Sequence, residues 1–355
     1  MTSQAYTIGF IESLHEQAAD RGEETDMAQE REIRTSSVSI VAAACACMSW
    51  LLAVANGAMA EKLRVGVNLT TIETLPIYLV ESEPAGAGIE LSGGAIPALT
   101  AGSVDIVTNA ETQAILRSTA NPEIRVILTV AEYGYRIVAR RSAGVRTAVD
   151  LRGKKIATSL NSSAHFYIVK TLRNVGLSEA DATVVGMTPP EMPAALARGD
   201  VDAVSIWEPA AEQSAKALGP DAVILQGPDY RERFNLNTTA TILADPTKRA
   251  AVTDLLRAII RTSLRVREHA QEVQPVIAAK LGLPQEIVAA TWGLFRFPAS
   301  IPDDLLASMV EQEPWMAKNQ NRAPRPREAI SALIDASVWR EAQREPAAKS
   351  SSPRR

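Results

Sequence analysis

The chain has 355 residues, of which 46% are hydrophobic and 22% are charged, and its formal net charge at pH 7 is −4. This length and composition are typical of a soluble globular protein of about two domains. The near-neutral charge predicts no nucleic-acid partner, because nucleic-acid binding depends on an excess of basic side chains.

The N-terminal part contains an almost wholly apolar stretch, VSIVAAACACMSWLLAVANG, which begins at Val38. A charged segment, MAQEREIRTSS from Met27, precedes it, and the small residues AMA, which end at Ala60, follow it. This order predicts a signal peptide over residues 27–60, with cleavage near Ala60 and export of the mature chain. A retained membrane anchor is the alternative, because the stretch is about long enough to span a bilayer.

Residues 1–26 are acidic, which does not fit the start of a signal peptide. We therefore expect Met27 to be the initiator and residues 1–26 to be a non-native extension. The two cysteines, Cys45 and Cys47, lie inside the apolar stretch, without the large aliphatic residue ahead of them that a lipoprotein signal needs. The mature chain is thus predicted to have no disulfide and no thiol nucleophile.

An internal repeat dominates the next part of the chain. PALTAGSVDIVTNAETQAI begins at Pro97 and PAALARGDVDAVSIWEPAA begins at Pro193. Each copy predicts a short helix, a glycine that ends it, a β-branched strand and a polar turn. The repeat predicts two similar α/β lobes with mostly parallel sheets.

Loops at the carboxyl ends of parallel strands form the ligand crevice of such sheets. Four loops are predicted to do so here, over residues 68–74, 108–112, 159–165 and 205–209. Thr71 and Asn109, which lie in the first two loops, are predicted ligand contacts.

The lobes are predicted to be discontinuous in sequence. Lobe I takes residues 61–140 and 240–340, and lobe II takes residues 141–239. The crossings are predicted in the segments that begin at Gly134 and at Asn235. The C-terminal part reads as helical, with a break or kink at Pro275, and residues 341–355 read as a disordered tail.

The stretch SLNSSAH, from Ser159, lies where a strand is followed by a helix. Asn161, Ser162 and Ser163 exceed what helix capping alone requires, and a helix N-terminus suits an oxyanion, so we predict that they contact an acidic ligand group. His165 lacks a recognisable nucleophile or acid partner, so it is predicted to donate a ligand hydrogen bond or to make a structural contact between loops. No catalytic or metal-binding cluster is predicted.

Trp207 and Glu208 follow a predicted buried strand, and Glu111 occupies the equivalent place in the first repeat. Trp207 could belong to the core or wall a ligand pocket, and Glu111 could simply favour the start of a helix. All three are retained as candidate ligand contacts. A glycosidase carboxylate pair is a weak alternative, because aromatic sugar platforms are missing.

The segments DLRGKKIATSLNSSAHFYIVKTLRNVGL, TPPEMPAALARGDVDAVSIWEPA and IPALTAGSVDIVTNAETQ resemble one known family. It comprises the ABC-transporter solute-binding proteins for taurine, aliphatic sulfonates and nitrate, with thiamine-pyrimidine-type members. The resemblance covers residues from about Glu61 to about Asp335.

The resemblance implies a type II periplasmic-binding-protein fold, whose two lobes close on a small ligand such as taurine or an alkanesulfonate. It implies a periplasmic location, a permease partner at the inner membrane, a monomer, no cofactor and no catalysis. The chain departs from the family after LPIYLVE, where a short Gly-rich segment follows, and at Glu208, whose charge would suit a ligand that has an amine as well as an acid.

Two alternatives stay open on the sequence. One is an enzyme of the related thiamine-pyrimidine synthesis class, which would require metal-ligating residues and a cytosolic chain. The other is a binding protein for nitrate, a pyrimidine or a small aromatic acid.

Overall fold

The computed structural model describes residues 62–344. The predicted extension 1–26, the predicted signal peptide 27–60 and most of the predicted tail lie outside these residues. The last described helix runs from Ser337 to Gln343, so the first three residues of the predicted tail, 341–343, are helical. Within the described part, no helix combines the length and the apolarity needed to cross a bilayer.

The described chain contains two β-sheets, which together confirm the predicted α/β fold class. The six-stranded sheet has the order β11-β4-β10-β3-β1-β2, and the five-stranded sheet has the order β7-β6-β8-β5-β9. The strands, in chain order, are β1 (Leu63–Val67), β2 (Ile89–Gly93), β3 (Ile106–Ala110), β4 (Ile124–Gly134), β5 (Ile137–Arg140), β6 (Lys155–Thr158), β7 (Thr183–Gly186), β8 (Ala203–Ser205), β9 (Ala222–Leu225), β10 (Arg231–Thr239) and β11 (Phe295–Arg296).

Both sheets are mixed, and they share one topology. In each, a central strand pairs in parallel with the two strands that follow it in its repeat, β1 with β2 and β3, and β6 with β7 and β8. An antiparallel strand then flanks the third one, β10 beside β3 and β5 beside β8. The sequence repeat is therefore visible as a repeated strand order.

Thirteen α-helices of the described residues cover these sheets. They are α1 (Leu75–Glu81), α2 (Ile96–Thr100), α3 (Glu111–Ser118), α4 (Ser163–Asn174), α5 (Met192–Arg198), α6 (Ala210–Leu218), α7 (Ala240–Ala244), α8 (Pro246–Glu268), α9 (Ala270–Leu281), α10 (Gln285–Thr291), α11 (Leu305–Asn319), α12 (Arg327–Ser331) and α13 (Ser337–Gln343). Single 3-10 turns connect several of them, and the one that matters for the site is Ile72–Thr74.

Asp105 and Asp202 occupy equivalent positions in the two repeats, and they make the same contacts. The Asp105 backbone N–H donates to the Arg64 carbonyl at 2.8 Å, and the Arg64 N–H donates to the Asp105 carboxylate at 2.9 Å. Asp202 and Lys155 repeat this reciprocal pair with the same two distances. Each aspartate thus ties the start of the third strand of its repeat to the first strand.

The chain passes from one sheet to the other between β4 and β5, inside the predicted first crossing, and returns between β9 and β10. The return comes earlier than the predicted segment from Asn235, because β10 already pairs with β3 and β4 of the first sheet. The asparagines of β10 look like loop residues in the sequence, but they are buried and hydrogen-bonded within the sheet. Asn235 accepts a hydrogen bond from Thr129 at 2.7 Å, and Asn237 donates to the Val107 carbonyl. We use lobe I for the part built on the six-stranded sheet and lobe II for the part built on the five-stranded sheet.

The long C-terminal helical pattern breaks at His269 and not at Pro275. His269 has non-helical backbone angles and separates α8 from α9. Pro275 lies inside α9, which continues to Gly282, a residue in the left-handed region with φ of 62°. Glycine at that position ends the helix without steric strain.

Candidate functional site

All four predicted loops meet at one cavity of about 220 Å³. Lobe I contributes the loops after β1 and β3 together with two residues of β10, and lobe II contributes the loops after β6 and β8. The volume lies below the range of about 300–1,000 Å³ that is usual for drug-sized ligands, so a smaller molecule fits it best. The lining residues are Asn68, Thr71, Glu73, Asn109, Ala110, Thr112, Gln113, Ser159, Leu160, Ser162, Ser163, Trp207, Glu232 and Phe234.

The first turn of α4 faces this cavity through two serines. Ser162 is the N-cap: its Oγ accepts from the His165 backbone N–H at 3.4 Å and donates to the Ser159 carbonyl at 2.6 Å. The Ser163 hydroxyl lies 2.7 Å from that of Thr112, at the start of α3 in lobe I. Ser162 is therefore committed to capping, whereas Ser163 and Thr112 bring the starts of two helices together. Helix starts carry free backbone N–H groups and partial positive charge, which suit an anion.

The predicted contacts Asn161 and His165 brace the loops and do not line the cavity. Asn161 has a φ of 59°, its carbonyl accepts from Gln113 at 2.9 Å, and its side-chain oxygen accepts from Asn319 of α11 at 3.0 Å. His165 Nδ1 accepts from the Asn161 N–H at 3.1 Å, so Nε2 is free to donate to Glu179, 2.9 Å away. Of the two roles predicted for His165, the structure supports the contact between loops.

Glu111 is also not at the cavity, because it is fully buried and satisfied by protein groups. Its carboxylate accepts from the Tyr230 hydroxyl at 2.9 Å, the Arg233 backbone N–H at 2.8 Å and the Gln312 amide at 2.9 Å. Burial raises its pKa, and Arg233 opposes this rise. Glu111 joins the start of α3 to β10 and α11.

Glu208, another predicted ligand contact, likewise does not line the cavity. It is fully buried, and it accepts two hydrogen bonds from Arg136, at 2.8 and 3.0 Å, and one from the Glu212 backbone N–H at 2.8 Å. Burial raises the pKa of Glu208, and the Arg136 charge opposes the rise. A carboxylate with an arginine partner inside the protein has no need of a ligand amine.

Trp207, Thr71 and Asn109 do line the cavity. Trp207 is half-buried beside the apolar core, and Thr71 is 3% exposed. Asn109 accepts the Ala110 backbone N–H through its side-chain oxygen, which leaves its amide nitrogen as a donor. Together with Ser162 and Ser163, these are the five candidate residues that the structure brings together, and their contact with a ligand stays a prediction.

Sequence reasoning missed two carboxyl groups that line the cavity, Glu73 and Glu232. Glu73 lies in the 3-10 turn after β1 and is 1% exposed, and Glu232 lies on β10 and is 6% exposed. Glu73 was within the predicted loop 68–74 and could have been found there. The sequence did not indicate that Glu232 is buried, because an acidic residue between two arginines, as in RERFNLN, is typical of an exposed strand.

Burial controls the electrostatics of these two groups. Burial raises the pKa of Glu73 to about 7, and the nearby charge of Glu208 adds to the rise. Burial, followed by the charges of Glu73 and Glu111, raises the pKa of Glu232 well above its ordinary value. Glu232 accepts a hydrogen bond from the Tyr135 hydroxyl.

The other charged groups near the cavity do not supply a cation to it. No lysine, arginine or histidine of the described residues lines it. Within residues 62–344, no group of three histidine, cysteine or acidic side chains is placed to hold a metal ion. The arrangement is chemically suited to binding through helix starts, hydroxyls and carboxyls.

A larger cavity, of about 410 Å³, lies among β4, β10, α4 and α11. Four of its charged side chains form ion pairs, Lys170 with Glu311 at 2.9 Å and Arg233 with Asp304. It does not include the loops at the carboxyl ends of the parallel strands. We therefore place the candidate site in the smaller cavity, where both lobes contribute such loops.

Two curated relatives from Escherichia coli strain K12 are similar in sequence. One carries a name that refers to aliphatic sulfonate binding; it is 25% identical over 200 residues, which is 55% of this chain and 61% of that protein. The other is the taurine-binding periplasmic protein, 28% identical over 37% of this chain and 39% of that protein. The chain thus spans about three fifths, or less, of the length of these relatives.

Solved structures agree on the fold. The periplasmic aliphatic sulphonate binding protein SsuA from Escherichia coli has a TM-score of 0.64 at 19% identity, over 77% of this chain and 92% of that one. The desulfurization enzyme DSZB has a TM-score of 0.59 at 17% identity, over 79% of this chain and 98% of that one. At these identities, the likeness concerns the fold alone. The family model described as NMT1/THI5 like matches residues 90–273, which is more than half of the 355 residues, and the chain belongs to this NMT1/THI5-like family.

Proposed function

We propose that this protein is the substrate-binding component of an ABC importer and captures a small organic acid, such as taurine or an alkanesulfonate, by closure of its two lobes. The observation that carries the proposal is the cavity itself. Loops from both sheets line it, and the lobes touch beside it through Thr112 and Ser163 at 2.7 Å. A ligand held by both lobes gains its full set of contacts only when they are closed.

The acid group of the ligand binds at the starts of α3 and α4. One of the Ser163 and Thr112 hydroxyls donates to the other, so the pair has at most one hydroxyl hydrogen left for the ligand, and the free N–H groups of both helices add further donors. Trp207 provides an apolar wall for the carbon chain. The names of the two Escherichia coli relatives support a sulfonate or taurine as the acid.

The cellular setting follows from the same proposal. The protein acts in the periplasm after removal of the signal peptide 27–60, works as a monomer, and passes its ligand to a permease at the inner membrane. The periplasmic relative of similar sequence supports this location.

An enzyme is the second candidate, since a desulfurization enzyme shares the fold. Two observations weigh against it. Residues 62–344 contain no cysteine, so a thiol nucleophile is missing from this part of the chain. The histidine nearest to Ser163, His165, has both ring nitrogens engaged, with Asn161 and Glu179, and cannot also serve Ser163 as a base.

A thermal-shift screen of taurine, alkanesulfonates, nitrate, pyrimidines and small aromatic acids tests the proposal. Ligand at 100 times its Kd should stabilise the protein by about 2.7 kcal/mol. We expect a small sulfonate or amino-sulfonate to give the largest shift. A thermal shift from pyrimidines alone would contradict the proposal. Chemical turnover of a compound that gives a shift, checked in a separate assay, would also contradict it.

A further inference from the structure

We propose that Glu73 and Glu232 form a binding site for a positively charged nitrogen, so that the ligand carries a protonated amine or amidine in addition to an acid. The acid end of this ligand rests on the proposed function above. The site for the cation rests on Glu73, in the loop after β1, and on Glu232 of β10, which lies beside Ser163 and accepts a hydrogen bond from it.

Two polar atoms of this cavity, Glu73 Oε2 and the Thr71 hydroxyl, are buried without a well-formed hydrogen bond, although their side chains are at least 97% buried. The side-chain donor beside the Glu73 carboxyl is Thr71 itself, which lowers the pKa of Glu73 less than burial raises it. Both line the cavity. A buried polar atom that is poorly hydrogen-bonded is unfavourable, and more so when it is charged. A donor that enters the cavity with the ligand would satisfy both atoms.

The charge of the cavity lining also favours a cation. Two carboxyls line a cavity of about 220 Å³ that no basic side chain of the described part of the chain lines. The basic residues nearby are committed to other acids: Arg136 lies 2.8 Å from Glu208 and 2.6 Å from Glu212, and Arg233 pairs with Asp304. A ligand cation is therefore the counter-charge that fits this pair.

The protonation state of the pair determines how ligand affinity depends on pH. The pKa of Glu73 is about 7 and the pKa of Glu232 is raised well above its ordinary value, so the pair retains protons near neutral pH. A ligand cation stabilises the ionised pair and displaces a proton, whereas a plain anion binds best while the pair is neutral. The charged and titratable groups that face the pair are Tyr133, Tyr135, Tyr230, Glu111 and Glu208, with Arg136 and Arg233 behind the last two.

The pH dependence of affinity therefore has opposite signs for two ligands of similar size. Taurine should bind more tightly as pH rises from 6 to 8, by up to about tenfold per pH unit for each proton released. Ethanesulfonate, which has the acid but no amine, should bind more weakly over the same range.

Calorimetric titration of the full chain tests the proposal with three probes: taurine, ethanesulfonate and ethylammonium. Glu73→Gln and Glu232→Gln should each weaken taurine binding more than tenfold and flatten its pH dependence, while ethanesulfonate affinity stays the same or improves. Glu90→Gln, an exposed glutamate of β2, is the control and should change neither ligand. Circular dichroism checks that each variant is folded.

The outcomes separate this inference from the proposed function. Ethanesulfonate and taurine binding with equal affinity, equal pH dependence and no response to either Gln variant would overturn the cation site and leave the importer proposal standing. Ethylammonium binding that depends on Glu73, without binding of either sulfonate, would support the cation site and contradict an acid ligand. Absence of binding by all three probes would overturn the cation site as proposed.

Discussion

Buried carboxyls near the cavity divide into two kinds at the scale of single residues. Glu111 and Glu208 are satisfied by arginine, tyrosine and backbone donors, and they hold helices in place. Glu73 and Glu232 lack such arginine partners and line the cavity. The distinction between a structural acid and a binding acid depends on the partner each one meets in the fold.

We expect Glu73→Gln to stabilise the protein at alkaline pH. The pKa of Glu73 is about 7 in the folded protein and near 4.5 when it is unfolded. Between these values the unfolded chain has lost a proton that the folded protein retains, so the free energy of unfolding falls as pH rises, by up to about 3 kcal/mol. Glutamine cannot ionise, and the variant should avoid this loss.

Urea denaturation at pH 5.5 and pH 8 measures the effect. The stability of the variant relative to wild type should increase between the two pH values, whereas Glu90→Gln should follow wild type at both. Parallel behaviour of Glu73→Gln and wild type would show that Glu73 ionises without penalty in the folded protein.

The candidate residues also show what sequence can reveal at this scale. A hydroxyl or an amide after a strand predicts its place at the crevice, and Thr71, Asn109, Ser162, Ser163 and Trp207 are all found there. The sequence does not reveal which acid finds an arginine partner, because Glu208 and Arg136 are 72 residues apart. Two residues so far apart in the sequence meet only because the folded chain brings them together.

Among the elements, α4 is held by a bracing network that is distinct from the cavity. His165 links the start of α4 to Glu179, and its ring meets Trp315 of α11 edge-on at 5.1 Å between centroids. Asn161 connects the same loop to α3 and α11. This network fixes the direction of the α4 N-terminus, and it uses both ring nitrogens of His165.

The C-terminal end of α3 is held by Glu313 of α11 through an arginine. Arg325 donates to Glu313 at 3.0 Å, to the Ile115 carbonyl at 3.0 Å and to the Ser118 hydroxyl at 3.0 Å. Although burial opposes ionisation, hydrogen bonds from Arg322 and Arg325 lower the pKa of Glu313 to about 2. Glu313 thus orients the arginine that donates to the Ile115 carbonyl in the last turn of α3.

We expect Glu313→Gln to destabilise the protein by about 3–5 kcal/mol near pH 7, because it leaves two arginines without their buried partner. Stability contributed by a carboxyl with a lowered pKa is fully present above pH 4.5 and is lost as pH falls through about 2. The difference between wild type and Glu313→Gln in the free energy of unfolding, measured with denaturant, should therefore become smaller in acid. Glu286→Gln, at an exposed ion pair of 3.9 Å, should change stability by less than about 1 kcal/mol. An equal effect of both substitutions would contradict this role of Glu313.

Element boundaries were less predictable than the elements. The repeat in the sequence predicted two similar α/β lobes, because both copies preserve the helix–glycine–strand pattern, but the order of the strands in each sheet is known only from the structure. The return strand β10 was misplaced because its asparagines look like loop residues, and the helix break was misplaced because Pro275 is a stronger sequence signal than His269. In both cases, tertiary contacts override the local pattern.

At the scale of the whole molecule, the two lobes are in contact beside the cavity. Thr112 and Gln113 at the start of α3 reach Ser163 and Asn161 of lobe II. Lobe I also contacts α4 of lobe II and the loop before it through α11, by Asn319 with Asn161, Trp315 with His165 and Glu311 with Lys170. In the proposed mechanism, a ligand that adds contacts on both sides favours this closed arrangement.

We expect small-angle scattering to show a smaller radius of gyration when taurine or an alkanesulfonate saturates the protein. The scattering profile of the ligand-bound protein should match the profile calculated from this structure, in which the starts of α3 and α4 are in contact. The same ligand should leave the profile of the folded Ser163→Asp variant unchanged. A wild-type profile that does not change at saturation would argue against capture by closure.

The central claim is that a small organic acid binds where the starts of α3 and α4 meet, and Ser163 is the residue on which it depends most. Calorimetric titration of taurine and ethanesulfonate into wild type, Ser163→Asp and the exposed control Ser103→Asp tests it directly. We expect saturable one-to-one binding by wild type and Ser103→Asp, and almost complete loss in Ser163→Asp, because like charges would meet in a closed cavity. A folded Ser163→Asp variant that binds the acid as tightly as wild type would contradict the account.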